Sequence, residues 1–302
     1  MKPIMQPVIG NNIKNKILID NISFIDKSFD LKNISNYHLS LQVYLKGFSF
    51  CILDRERNKY IAFGNHQYSK ITSFKILASE IERLINENFW LKLPYQHVKL
   101  IFATPRYTFI PSPLYNPLEE RKLFDFNNKL GVHEELNHNF IYGNSSYVVY
   151  SIPDSIKSVF QEYYPSIRVY HQSCPMIEEI LLKNKLTNTN IQAYLNIYPD
   201  FIDFAILDKT TLKLFNTFAI QSTTDFQYFI LNSFDQLQLS SLNVPLSISG
   251  LIKKDDAKID ILKKFIKQID YLNKPSHFEY SYGFQDIPDH YFTNMINLYQ
   301  CG

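Results

Sequence analysis

From Ser40 onward, apolar and polar residues alternate, with Leu41, Val43 and Leu45 set between Ser40, Gln42 and Tyr44. A period of two is the signature of a half-buried strand. Lys46-Gly47 can turn the chain there, because glycine accepts positive φ without steric cost. Phe48 to Leu53 reads as a second strand, Asp54 to Asn58 as a polar turn, and Lys59 to Phe63 as a third strand. Together these predict an antiparallel meander. The period then lengthens to that of a helix: Phe74, Leu77, Ile81, Leu84, Ile85 and Phe89 share one face, with Thr72 or Ser73 as the cap. His97 to Ala103 returns as an apolar strand.

The same order recurs after residue 190. Gln192–Ile197, Phe201–Leu207 and Leu212–Ile220 read as strands. A helix follows, with Phe226, Phe229, Ile230, Phe234 and Leu237 on one face and Thr223 or Thr224 as cap, and then Val244–Ser249 as a strand. Phe50-Cys51-Ile52-Leu53-Asp54 matches Phe204-Ala205-Ile206-Leu207-Asp208 at four of five positions, offset by 154 residues. Tyr44-Leu45 matches Tyr194-Leu195 at an offset of 150, which puts a four-residue difference in the first turn. The repeated element order predicts an internal duplication.

Between the copies lies a segment without a counterpart. Pro111, Pro113 and Pro117 punctuate a loop, Leu118–Leu130 reads as helical, and Asn139–Ser151 as a hairpin turned at Gly143-Asn144. Pro153-Asp154 opens a helix carrying Ile156, Val159, Phe160 and Tyr163. Ile167–Tyr170 is a short strand, and Met176–Lys185 a helix after Pro175. The Thr/Asn-rich run at Leu186–Asn190 marks the crossover, giving a first domain at 1–187, with an insert at about 105–150, and a second at 188–302. The last third predicts a helix at Asp255–Ile269, a strand near His277–Tyr280 and a closing helix at Pro288–Leu298.

Composition narrows the function classes. Of 302 residues, 45% are apolar and 20% charged, enough to build substantial cores and too much to leave a disordered chain. A net charge of +2 gives no clustered cationic excess to attract nucleic acid. No apolar run is long enough to span a bilayer. Met1–Gly10 lacks the charged start, apolar stretch and cleavage site of a signal peptide. Cys51, Cys174 and Cys301 are too few and too scattered for a disulfide framework, which points to the reducing cytoplasm. Only 8 glycines leave few backbone cradles for phosphate.

Two meander copies, each followed by helix-linked strands, resemble the actin-like (ribonuclease H-like) fold shared by actin, sugar kinases and heat-shock ATPases. More narrowly, Leu45-Lys46-Gly47-Phe48-Ser49-Phe50, the run Ala103-Thr104-Pro105-Arg106-Tyr107-Thr108-Phe109-Ile110-Pro111, and Tyr163–Leu181 are similar to an uncharacterised bacterial domain-of-unknown-function family with an actin-like ATPase fold. The resemblance implies an α/β chain of duplicated actin-like domains, with mixed sheets flanked by helices and a cleft between them.

In members that hydrolyse ATP, each first hairpin carries Asp, a spacer and Gly: the carboxylate serves the metal and its water, and glycine lets backbone N–H groups approach phosphate. Here Lys46 and Gly47 retain the glycine, but Leu45 takes the Asp place. Asn196-Ile197-Tyr198-Pro199 has neither. The superfamily's adenosine motif, paired glycines after a strand, survives only as Ser249-Gly250-Leu251. The resemblance therefore implies degenerate cleft positions at Lys46, Gly47, Asn196, Ser249 and Gly250. It implies no catalytic residue, no metal and no required cofactor, with ATP binding without hydrolysis left open. A non-hydrolysing interaction or scaffold module is expected, the alternative being a nucleotide sensor or enzyme with a rewired cleft.

Other constellations carry blander chemistry. Asp54 and Asp208 end equivalent strands and read as turn-forming carboxylates rather than a metal pair. His133 and His138 are spaced by five, about 140° apart on a helix, where a zinc-protease helix needs four. Cys174 reads as a buried structural thiol, although His171 is near it in sequence. The lysines from Lys253 to Lys267 alternate with Asp255, Asp256 and Asp260 around an Ile259, Leu262, Phe265, Ile266 and Ile269 face, which makes a solvated helix.

Aromatic residues are abundant, with 24 Phe and 21 Tyr. Phe48, Phe50, Phe204, Phe229 and Phe265 fall on buried faces. The insert at 105–150 is least required by the duplicated frame and is the expected surface for an unknown protein partner. Its prolines pre-order the backbone. Tyr107, Phe109, Tyr115, Phe124 and Phe126 supply apolar area there, and Arg106 and Arg121 supply anchors of the type enriched at interfaces.

Overall fold

The computed structural model describes residues 21–187 and 190–302. The expectation for Met1–Gly10 and part of the Leu186–Asn190 crossover lie outside them. The first half runs β1 (Ile22–Ile25), β2 (Tyr37–Tyr44), β3 (Gly47–Asp54), β4 (Lys59–Gln67), α1 (Phe74–Glu87) and β5 (His97–Phe102). The insert follows as β6 (Tyr107–Pro111), α2 (Glu120–Asn127), β7 (Glu134–Ile141) and β8 (Ser146–Pro153), then α3 (Asp154–Tyr163), β9 (Arg168–His171) and α4 (Ser173–Thr187). The second half runs β10 (Ile191–Ile197), β11 (Phe201–Asp208), β12 (Thr211–Ala219), α5 (Thr223–Gln236), β13 (Leu246–Gly250), α6 (Ala257–Leu262) and β14 (Ile269–Tyr271). It closes with β15 (Glu279–Tyr280) and α7 (Thr293–Asn297).

The duplication is written in the strand order. One sheet runs β4-β3-β2-β5-β9 and the other β12-β11-β10-β13-β14, with β1 and β15 added at the β4 edge of the first. In each, the meander is antiparallel and the fourth and fifth strands are parallel to the first. Even the ladder irregularity recurs, between Ile52 and Leu53 in β3 and between Ile206 and Leu207 in β11. A bulge adds local twist, so the matched letters of the two runs mark a shared bend. Pairing also corrects the alignment. Leu41 faces Phe50 and Leu195 faces Phe204, so one offset runs through both strands, Tyr44 corresponds to Tyr198, and the turn holds no four-residue insertion.

Helix ends follow local chemistry. Ser73 caps α1, its hydroxyl accepting from Ile76 N–H. Ser222, not Thr223 or Thr224, caps α5 in a reciprocal capping box with Asp225. Phe89 falls beyond the end of α1 and is 63% exposed. The helix expected over Asp255–Ile269 stops at Leu262, because Ile269 must rejoin the sheet beside Leu246. Phe265 is consequently left on the surface.

Both faces of the first sheet are covered, and β2 and β3 are buried along their whole lengths. One face packs on α1 and α3 through Leu77, Ile81, Ile156 and Phe160. The other is covered by the chain's last segment, including Phe284, Phe292, Met295 and Ile296, together with Tyr198 and Phe201 from the second half. The second sheet packs on α5 and α6. Its opposite face meets α4 and the insert, so α4 and the insert join the two halves.

Candidate functional site

The carboxyl ends of β2, β5, β10 and β13 meet between the two sheets. This is where open α/β sheets bind ligands. The first hairpins of the two copies face one another across it, and they touch. Lys46 Nζ lies 2.5 Å from Asp200 Oδ1, and these residues occupy equivalent places 154 positions apart. The Tyr44 and Tyr198 rings, also equivalent, meet edge-on at 5.7 Å, and Tyr198 stacks on Phe201 at 4.5 Å. The space between the hairpins is therefore filled by side chains.

The strand end carrying the single retained glycine is occupied too. Gly250 N–H donates to the His290 carbonyl at 2.8 Å, and Leu251 N–H to Ile197 at 2.7 Å. An imidazole nitrogen of His290 bonds the Ile252 carbonyl at 2.8 Å, and the ring packs on Tyr271. Ser249 donates to Asn196 Oδ1 at 3.0 Å. These donors are spent on protein acceptors, and the hairpins lack the Asp-spacer-Gly pattern. The residues present do not fit a metal-bound nucleotide triphosphate in this arrangement.

Behind the hairpins lies a buried polar cluster. Asp203 is wholly buried; its Oδ1 accepts from Thr217 at 2.6 Å and from Gln172 at 3.3 Å. Burial pushes its carboxyl up to about 7, against the pull of the Thr217, Gln172 and Asn196 hydrogen bonds. Gln172 also bonds Thr104 through both its amide atoms, and Tyr107 and Thr217 hydroxyls are 3.3 Å apart. The His171 ring spans Ser173 at 2.7 Å and the Thr104 carbonyl at 3.0 Å. Its imidazole is lowered to about 3 by burial, the Thr104 contact opposing that shift, so it is neutral at physiological pH.

Of the residues singled out in sequence, Lys46, Gly47, Asn196, Ser249 and Gly250 do converge on this cleft. Asp200 and Asp203 were missed. Asp200 follows Pro199 in what reads as a loop, and only the strand register reveals it as the counterpart of Lys46. Asp203 sits inside an apolar strand, where a carboxylate looks like the solvent-facing member of an alternation.

The insert residues do not form one patch. Tyr107 and Phe109 pack on Phe215 of β12, at 6.2 and 5.4 Å, so they face the second half. Phe124 is wholly buried beside Ile110 and Val149. Tyr115 stacks on Tyr147 at 3.6 Å, and its hydroxyl bonds Glu120. Arg106 pairs with Glu134 and reaches the Lys129 carbonyl. Only Arg121 and Phe126 stand on the outer surface, with Arg121 held by Asp125 at 3.1 Å and Phe126 87% exposed. The other rings pack against the insert's own β6-β8-β7 sheet or against the second half.

The remaining candidates make local contacts. Asp54 Oδ1 accepts from the Glu56 and Arg57 N–H groups, both at 3.1 Å, in a turn. His138 lies on β7 with Nδ1 2.7 Å from Glu120. The three cysteines are free and buried, and burial raises the Cys174 thiol well above its ordinary value. No helix among the described residues is long and apolar enough to cross a membrane.

Two sheets of identical strand order facing across a cleft define an actin-like fold. The chain belongs to the family described as "Protein of unknown function (DUF3822)", which matches residues 26–269. A solved structure from Bacteroides thetaiotaomicron, described as a protein with actin-like ATPase fold and unknown function, superposes with a TM-score of 0.78. It is 25% identical and covers 91% of this chain and 99% of that one. The type IV pilus biogenesis complex of PilM and PilN superposes with a TM-score of 0.54 at 12% identity, over 86% of this chain and 97% of that one. No curated protein sequence matches.

Proposed function

We propose that this protein is an interaction or scaffold module that keeps the two-lobed actin-like frame without hydrolysing ATP. The observation that carries the reading is the Lys46–Asp200 pair. It joins the two hairpins that would otherwise admit phosphate, and neither hairpin carries the Asp-spacer-Gly pattern whose carboxylate holds metal and water. Phosphoryl transfer depends on such electrostatic positioning. The fold is compatible with this use, since PilM was solved in a complex with PilN. Partner contact is assigned to the outer face of the insert, where Phe126 and Arg121 project from α2 and Leu118, just before it, is 93% exposed.

Purified protein with Mg-ATP is expected to release no phosphate above a denatured control. ATP and ADP are expected to leave the melting temperature unchanged. A ligand at a hundredfold its dissociation constant would add about 2.7 kcal/mol, so a stabilising nucleotide would replace this reading with that of a nucleotide sensor. Turnover abolished by Lys46→Ala would make the protein an enzyme. In a pull-down from the native cell, Phe126→Ser is expected to lose the partner with an unchanged melting temperature.

A further inference from the structure

At the other end of the first sheet, away from the cleft, the amino ends of β2, β5 and β9 form the floor of a cavity of about 580 Å³. Register places His38 beside His97, and Lys99 beside Arg168. Arg55, from the turn after β3, lines it as well, together with Tyr299 and the main chain at Gly302. No Asp or Glu lines this cavity among the described residues. Of the two carboxylates flanking Arg55 in sequence, Asp54 is engaged by its own turn and by Arg57 at 3.5 Å, and Glu56 accepts from Asn36 at 3.4 Å. Like charges set opposite one another across a ladder are destabilising, yet here Lys99 and Arg168 are ladder partners, while burial lowers His38 to about 3 and also lowers His97.

The individual groups divide the work. Lys99 is anchored on the main chain that forms one wall, with Nζ 3.0 Å from the Tyr299 carbonyl and also bonded to that of Cys301; burial lowers its ammonium from the ordinary value. Among the described residues Arg55 and Arg168 make no ion pair, and both are exposed at the mouth. His38 is 2% exposed and its Nε2 has no hydrogen-bond partner. The His38 ring stacks with His97 at 6.5 Å and meets Tyr299 edge-on at 5.1 Å, which lines part of the cavity with flat rings.

The geometry points to an anion site for a small molecule carrying one or two phosphoryl groups, separate from the cleft. Guanidinium forks match phosphate oxygens in pairs, and the volume lies within the range of small-molecule sites. Two arginines, an anchored ammonium and an unpartnered imidazole supply the charge and donors. The neighbouring rings give an attached ring or sugar a surface to rest on. Neither the duplication nor the closed cleft requires this arrangement.

Calorimetric titration of the full chain at fixed ionic strength tests it, with inorganic pyrophosphate and glycerol phosphate as probes. One site per chain is expected for at least one probe, and comparing the probes separates a free inorganic anion from an esterified one. Arg55→Gln with Arg168→Gln is expected to weaken binding by about tenfold or more with little change in melting temperature, both side chains being exposed. His97 ring resonances are expected to move on titration of the wild type. Absence of binding by both probes overturns the proposal, as does unchanged affinity in the double variant. Loss of binding in Lys46→Ala, with the arginine variant unaffected, also overturns it by moving the anion to the cleft.

Discussion

Burial keeps the Asp203 carboxyl poised near 7, and this couples the buried cluster to pH. Between the ordinary carboxyl value and about 7, the folded chain holds a proton that the unfolded chain has released. Stability therefore falls as pH rises through that window. His171 acts with the opposite sign. Its folded value is lowered to about 3, so the unfolded chain takes up a proton below about 6.5 that the folded chain refuses, and stability falls as pH drops. In thermal melts from about pH 5 to pH 8, the stability of Asp203→Asn relative to wild type is expected to rise with pH up to about 7, since Glu179, also pushed up to about 7 by burial, and the lowered His38 and His171 contribute alike to both chains. An unchanged slope would refute the assignment. Gly250 is a second residue-scale constraint: φ is +94°, and a Cβ would stand 2.2 Å from the Ile197 carbonyl oxygen. Gly250→Ala is expected to cost more than about 1 kcal/mol in urea melts, because the neighbouring atom is backbone and cannot move aside. A midpoint equal to wild type would contradict it.

Hairpins show what the sequence made legible and what it hid. Period-two alternation located β2, β3 and β4, and the same pattern located β10, β11 and β12, because each strand must turn one set of side chains to a core. Register was hidden, since several alignments satisfy the same alternation. Tyr44-Leu45 against Tyr194-Leu195 was one of these, and the registers of the two ladders instead align Tyr44 with Tyr198 in the duplication. With that register, Lys46 and Asp200 become a matched pair whose side chains are 37% and 42% exposed. Ion pairs this open contribute under about 1 kcal/mol, so the link orients the hairpins more than it stabilises the fold. Lys46→Asp or Asp200→Lys alone is expected to lower the melting temperature by setting like charges together. The double swap is expected to restore it. If the swap remains as unstable as the single changes, the hairpins are held by the Tyr44, Tyr198 and Phe201 rings and not by charge.

Across the whole molecule, the duplication explains two sheets but not how they are closed. The expected division at 187/188 treats the last third as part of the second domain. Yet β15 pairs in parallel with β4, Tyr60 donates to the Ile296 carbonyl at 2.6 Å, and Lys99 holds the main chain near the carboxyl end. No periodicity in a short, irregular tail shows which sheet it will cover, because its rings face inward without forming a long helix or strand. The aromatic count was the available signal. Phe278, Phe284, Phe292 and Met295 cover the face of β2, β3 and β4 opposite α1, and each large side chain buried this way contributes about 1.5–3 kcal/mol. Residues 21–187 expressed alone therefore expose an apolar sheet face, and are expected to aggregate or to melt without cooperativity. Fusing residues 273–302 to that fragment through a flexible linker is expected to restore a soluble species with a sharper transition. The Tyr198 and Phe201 contacts would still be missing, so its melting temperature should remain below that of the full chain. If the fragment without the tail melts as sharply as the fusion, the first sheet is stable on one covered face, and the tail is an addition to the lobe rather than half of its core.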